Sequence, residues 1–143
     1  TIKEDLLTES LEHLRHHAAS GQMGAPLLPA LHADAQVGLD ELTVSVWRFI
    51  SAMEPFGECN RAPLFISRGV IPLDVRTVGT DGKHLKVSFA TANDRRIESI
   101  GFGLGDRRIG SGLVDIAYQL RSETWRGKTR HQLGLMDIRP ASR

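Results

Sequence analysis

Residues 64–91 read LFISRGVIPLDVRTVGTDGKHLKVSFAT. After Gly82 the side chains alternate: Leu85, Val87 and Phe89 fall on one face, and His84, Lys86 and Ser88 on the other. Asp81-Gly82 lies between two such runs and is a hairpin signal, because a tight turn needs residues that tolerate a left-handed backbone. Gly69 and Pro72 interrupt the first run, so a strand over 64–79 is expected to bend there. The twofold period continues, predicting strands over 84–91, 96–103, 113–122 and 130–139. Asn93-Asp94 and Trp125–Lys128 read as turns, and the glycine-rich stretch Leu104–Gly112 as a loop. In the last strand Leu133 and Leu135 share one phase while Met136 and Ile138 share the other, which predicts either a bulge or burial of both faces. Five short strands with a connector after the third match a five-stranded Greek-key β-barrel of the OB type; an SH3-like barrel has the same pattern.

Upstream the period is helical, so the class is α+β: N-terminal helices with a short strand, then the barrel. Leu7, Leu11, Leu14 and Ala18 form a stripe over residues 4–18; Thr1 with Glu4 has the form of a capping box, and Gly21 and Gly24 end the helix. Leu42, Val46, Phe49, Ile50 and Met53 form a second stripe over 41–53, with Asp40 as the expected N-cap and Leu39 stapled onto Val44. Between the helices, Leu31, Ala33, Ala35 and Val37 alternate like a short strand.

Composition narrows the function. The chain has 143 residues, 41% hydrophobic and 24% charged, as expected of a soluble globular protein. No apolar run reaches the ~20 residues of a membrane span, and no signal pattern opens the sequence. The single cysteine, Cys59, has no internal partner, which fits a reducing cytoplasm. The net charge of +1 hides an asymmetry. Residues 1–60 hold three basic and nine acidic residues, whereas residues 61–143 hold fifteen and eight. A basic half beside an acidic one points to nucleic acid or another acidic surface as its partner.

Three stretches resemble the C-terminal region of the RecJ exonucleases. The first is 54-EPFGECNRAPLF-65, similar to that family's EPFGxGNPxPxF junction. The second pairs His84-Leu85-Lys86-Val87 with Ile100-Gly101-Phe102-Gly103. The third runs through Val114-Asp115-Ile116-Ala117-Tyr118, Trp125-Arg126-Gly127, Gln132-Leu133 and Asp137-Ile138-Arg139-Pro140. The sequence departs from the pattern at Cys59, where the family has Gly, at Arg61, where it has Pro, and at Glu123, near a frequent Asn. If the family turn needs a positive φ at the first of these, Cys59 is strained there.

The resemblance implies that residues 1–56 are the end of a DHHA1 domain with a connecting helix, and residues 57–143 an OB domain. It implies that the chain begins just after a Gly-Gly-Gly-His segment, and that the catalytic DHH domain lies upstream of Thr1. That domain's Asp and His clusters, with their Mn or Mg ions, would lie there too. The parent protein is then a metal-dependent 5′-to-3′ single-strand-specific exonuclease of DNA repair and recombination. This region alone has no catalytic residue, cofactor or metal site, and its partners are single-stranded DNA and the rest of the same protein. The alternative is a structural or protein-interaction OB module that touches no nucleic acid; a 2′-OH-reading RNA binder and an unrelated hydrolase are further rivals.

The residues expected to carry binding follow from the strand layout. Phosphates need cations, and unpaired bases need flat surfaces. His84 and Lys86 face outward on the second barrel strand, and Trp125, Arg126, Lys128 and Arg130 gather at the last turn. Arg96 opens the third strand, and Arg107 and Arg108 sit in the glycine-rich connector. Trp125 is either a stacking residue or an apolar plug for the barrel end. Asp115 and Gln119 are expected to face solvent, and Tyr118 to sit in the core with its hydroxyl at the rim. On the first helix, His13 and His17 share a face with metal-ligand spacing, but no third ligand accompanies them.

Overall fold

A computed structural model of the chain describes residues 4–19 and 30–141. The chain divides into two compact units, residues 1–30 and 31–143. The first holds helix α1 (Glu4–Ala19), on which Leu6, Leu11 and Leu14 are exposed. The expected Thr1 cap and the breaks at Gly21 and Gly24 lie outside the described residues.

The second unit is one seven-stranded sheet with a helix packed on it. In chain order it contains β1 (Ala35–Gln36), a 3-10 turn at Leu39–Glu41, helix α2 (Val44–Ala52), β2 (Phe65–Val70), β3 (Pro72–Val78), β4 (His84–Ala90), β5 (Arg96–Gly101), β6 (Val114–Trp125) and β7 (Lys128–Pro140). The strand order is β1-β2-β6-β7-β5-β4-β3. β1 lies parallel to β2 and β5 parallel to β7, and the other neighbours are antiparallel.

The long first strand expected over 64–79 is two strands. β2 and β3 are joined by Ile71 alone yet occupy distant places in the strand order. The cause is local. Gly69 takes a positive φ of 61°, the register slips between Ser67 and Val70, and Pro72 has no N–H for a ladder bond. The amide freed at Gly69 donates to Asp115 Oδ1 at 3.1 Å. Asp115 is therefore buried, against the expectation that it faces solvent. Its Oδ2 has no hydrogen-bond partner among the described residues; the guanidinium of Arg139 lies 3.6 Å away and compensates the charge. Gln119 is half-buried, with its amide donating to the Ala62 carbonyl at 3.2 Å.

The other turns follow the sequence closely. β6 and β7 meet in a two-residue hairpin, with Arg126 at φ 49° and Gly127 at φ 75°, the left-handed pair a type I′ turn demands. The phase slip in the last strand is a bulge: Ala117 pairs with Asp137 and Tyr118 with Leu135, leaving Met136 unpaired. Leu133, Leu135 and Ile138 are thereby all buried. Leu104–Gly112 is a connector without regular structure, with Leu104 and Ile109 packed against the core.

α2 departs from expectation at both its start and its buried face. It begins at Val44, and its N-cap is Thr43, whose Oγ1 accepts the Val46 N–H at 3.4 Å. Asp40 sits instead inside the 3-10 turn, so the staple of Leu39 onto Val44 is not the entry device. Trp47 and Ile50 are buried, whereas Phe49 and Met53 are exposed. The helix is rotated because Trp47 stacks on His131 of β7, with ring centroids 4.8 Å apart. At the following junction Asn60 donates to the carbonyls of Met53 and Pro55 at 2.8 and 3.0 Å, and Gly57 bridges Asn60. Cys59 is exposed there and carries no positive φ.

The core joins Leu85, Val87 and Phe89 of β4 to Val114, Ile116 and Tyr118 of β6, Leu133 of β7, and Leu39, Leu42, Trp47 and Ile50 from upstream. Ser88, expected to face outward with Lys86, is buried. The Tyr118 hydroxyl is also inside rather than at the rim. Ser67 Oγ donates to the Val37 carbonyl at 2.7 Å, so the Tyr118 hydroxyl, 2.9 Å from that oxygen, is the donor to it. Burial pushes the Tyr118 phenol up from 10.0 to about 12.

Two outcomes follow. Phe89→Ala or Ile116→Ala is expected to cost roughly 2–5 kcal/mol in denaturant unfolding, as core truncations do. Tyr118 is the only tyrosine, so phenolate absorbance reports it alone. Its midpoint is expected at about 12, and the stability it contributes is whole below pH 10 and lost as the pH rises to about 12. That loss amounts to roughly 3 kcal/mol.

Candidate nucleic-acid interface

The face of the sheet away from the core carries the candidate residues, and the pleat decides which of them meet. Arg76 of β3 pairs directly opposite Lys86 of β4. Like charges so placed repel, by tenths of a kcal/mol or more. Each has a carboxylate within reach: Lys86 Nζ is 3.2 Å from Glu98, and Arg76 Nε is 3.9 Å from Asp74. β5 and β7 touch in parallel only at Ser99–Leu133 and Ile100–Gly134. Before that point they are unpaired, and a cleft of about 430 Å³ opens, lined by Arg76, Lys86, Glu98, Arg130, His131 and Gln132. Three cations from three strands thus share a cleft with one carboxylate.

Of the residues expected from the sequence, Lys86 and Arg130 meet in this cleft. Arg96 is exposed on the same pleat phase as Glu98, and carrying the β5–β7 register back three residues sets it level with Arg130. Lys128 shares the phase of Arg130 and is exposed one turn-residue from the hairpin tip, where Arg126 also sits exposed. The side chain of Trp125 lies outside the described part of the structure, so the choice between stacking residue and plug is left where the sequence puts it.

Arg107 and His84 are engaged elsewhere. Arg107 forms an ion pair with Asp137 at 2.9 Å, tying the connector to β7. Arg108 is exposed in the same connector. His84 Nδ1 accepts the Gly103 N–H at 3.2 Å, which in the neutral ring puts the proton on Nε2. Its ring meets Phe102 edge-on, with centroids 5.0 Å apart. Sequence reasoning missed Arg76, whose place opposite Lys86 is a matter of register, and Arg121, whose guanidinium lies 5.8 Å from the Phe102 ring centre.

On α1, His13 and His16 stand beside Glu9 and Glu12 along a shallow pocket. Among the described residues no group of three His, Cys, Asp or Glu side chains is arranged to hold a metal ion. No described helix is long and apolar enough to cross a membrane.

Comparison with known proteins gives this geometry a context. The RecJ OB domain family matches residues 33–137. Among curated relatives, the single-stranded-DNA-specific exonuclease RecJ of Bacillus subtilis is 21% identical over 140 residues, 96% of this chain but 18% of that protein. Two crystal structures of RecJ from Thermus thermophilus share the fold at 22% identity and cover 100% of this chain. The Mg2+ complex has a TM-score of 0.71 and the Mn2+ complex 0.68, and this chain spans 21% and 20% of them. The chain thus has about a fifth of the length of the relatives it matches.

The Lys86–Glu98 pair is open to solvent, with side chains 32% and 49% exposed. Glu98→Gln is therefore expected to change unfolding free energy by less than about 1 kcal/mol, measured by urea denaturation.

Proposed function

The chain belongs to the RecJ OB domain family, and we propose that it holds single-stranded DNA within a RecJ-type 5′-to-3′ exonuclease of DNA repair and recombination. The observation that carries this reading is the cleft where Arg76, Lys86 and Arg130 converge from three strands, with Glu98 as the carboxylate in its lining. Opposed like charges are a cost to the free protein that a phosphate between them removes. Arg96 and Lys128 share the pleat phase of the cleft residues and would extend its positive surface, whereas Arg107, held by Asp137, is not among the residues that line it. Contacts of this kind grip the backbone and read no sequence.

In this reading β2 and β3 are two halves of one barrel strand bent at Ile71. With β4, β5, β6 and β7 as barrel strands two to five, the open seven-strand order would read 1-2-3-5-4-1, the order of a five-stranded Greek-key barrel. The face of strands two and three and the turn between strands four and five form the usual oligonucleotide surface of such a barrel. Phosphodiester cleavage would belong to the DHH and DHHA1 parts of the protein. Any Mn or Mg serving that cleavage would be held by those parts of the protein.

One observation favours a second role as a brace for the catalytic domains. Ile71 and, on the edge strand β3, Leu73 and Val75 are exposed, apolar surface suited to protein contact.

Binding of a dT oligomer separates the two. In the DNA-holding reading, log affinity falls linearly with log salt, by about 0.7 per phosphate contact. Arg76→Ala, Lys86→Ala and Arg130→Ala together flatten that slope by about 2. Glu98→Gln tightens binding. No binding at low salt would leave the brace alone, and tighter binding of an equal-length rU oligomer would indicate an RNA reader.

A further inference from the structure

Beside the cationic cleft is an aromatic side chain that the core does not use. Phe102 follows the end of β5 and is 57% exposed, whereas Phe65 and Phe89 are buried. Its ring is held from two sides. His84 meets it edge-on at 5.0 Å, with the planes 70° apart. The guanidinium carbon of Arg121 lies over it, 5.8 Å from the centroid. Both neighbours are fixed in turn. His84 accepts the Gly103 amide, and it fits because position 79 is glycine: a Cβ there would stand 3.0 Å from its ring. Arg121 lies flat across β7 because position 134 is glycine, where a Cβ would fall 2.5 Å from its Nε.

We propose that Phe102, flanked by Arg121 and His84, is a stacking platform for one unpaired base of the strand whose phosphates lie in the cleft. The proposal rests on the reading of the cleft as a single-strand site. The two places are adjacent: His84 and Lys86 are two residues apart on one face of β4, roughly 7 Å. Every base has a π-face, so an exposed ring with a guanidinium against it accepts any of them. A paired base has its faces covered by its neighbours, so the platform selects for the unpaired strand, where the cleft alone does not.

The test uses the whole 143-residue chain and two oligonucleotides of equal length, dT and its abasic counterpart, which carry the same phosphates. Phe102→Ala is expected to weaken dT binding about tenfold, the scale of one lost base–aromatic stack. It leaves abasic binding and the salt slope unchanged, and Phe102→Trp restores dT binding. Because Phe102 is exposed, its thermal unfolding midpoint serves as the check that the fold is intact. If Phe102→Ala weakens neither ligand while the triple cleft variant weakens both, the platform is overturned and the cleft stands. Equal weakening of dT and abasic strands by Phe102→Ala also overturns it. Failure of the unaltered chain to bind dT at low salt removes both.

Discussion

Everything on the candidate face depends on how the chain gets past Ile71. An antiparallel sheet would ordinarily carry Leu64 to Val78 straight through one position. A glycine with positive φ and a proline without an N–H, three residues apart, make that impossible. The chain instead leaves the side of β6 and joins the side of β4, and the sheet between these positions must curve to receive it. The bend orphans an amide, and Asp115 accepts it at the cost of burying a carboxylate. An unpaired buried charge would cost several kcal/mol; the guanidinium of Arg139 reduces that cost. The β3–β4 register sets Arg76 opposite Lys86, and the curved sheet lets both share a cleft with Arg130. A structural device at one edge thus sets the electrostatics of a face it does not touch.

The buried hydroxyls work in the same direction. Val37, Ser67 and Tyr118 form a chain of hydrogen bonds from the segment after β1 through β2 to β6. Ser67 has one proton and gives it to a backbone carbonyl, so the phenol must stay protonated to complete the chain. That fixes β2 on the β6 side, while Ser99 Oγ, donating to the Val87 carbonyl at 2.6 Å, ties β5 to β4. These bonds are short and inside, where water does not compete. The outer face carries solvent-exposed ion pairs such as Lys86–Glu98. Rigidity and charge are therefore carried by opposite faces of the same strands, and the outer face can hold opposed cations without loosening the fold.

What was legible in the sequence is what depends on near neighbours. The alternation of Leu85, Val87 and Phe89 gave β4 and its buried face, because the pleat is a local property. The phase slip from Leu135 to Met136 narrowed the last strand to a bulge or burial of both faces, and Arg126-Gly127 gave the hairpin, for the same reason. What depends on distant partners was not legible. The apolar stripe on α2 omits Trp47, yet Trp47 sets the buried face, because His131, far along the chain on β7, stacks on it. Asp40 and Thr43 are both good caps, and the choice between them was made by the 3-10 turn that buries Leu39. Asp115 looked like a solvent residue because its ligand is a backbone amide freed by a bend. Arg76 and Arg121 were passed over because neither is near another cation in sequence; each gains its place from register or from a glycine across the sheet. The candidate cleft itself was read in outline, with Lys86 and Arg130 converging, while Arg107 was engaged by Asp137 instead.

The division between charge and ring has a further consequence for what the face can recognise. A cleft of arginine and lysine attracts any polyanion, and affinity built on phosphates alone would hold a duplex as readily as a single strand. Selectivity must come from a group that contributes only when a base is free. An aromatic ring in solvent is such a group: it gives nothing to a stacked duplex and about 1–3 kcal/mol, the scale of a single base stack, to a splayed strand. Leaving Phe102 open forgoes the stabilisation that burying a phenylalanine gives, roughly 2–3 kcal/mol. Glycine at position 134 adds the entropic cost of a residue without a side chain, and leaves room for Arg121 beside the ring. An exposed ring beside a cationic cleft is the arrangement that the proposed single-strand reading requires.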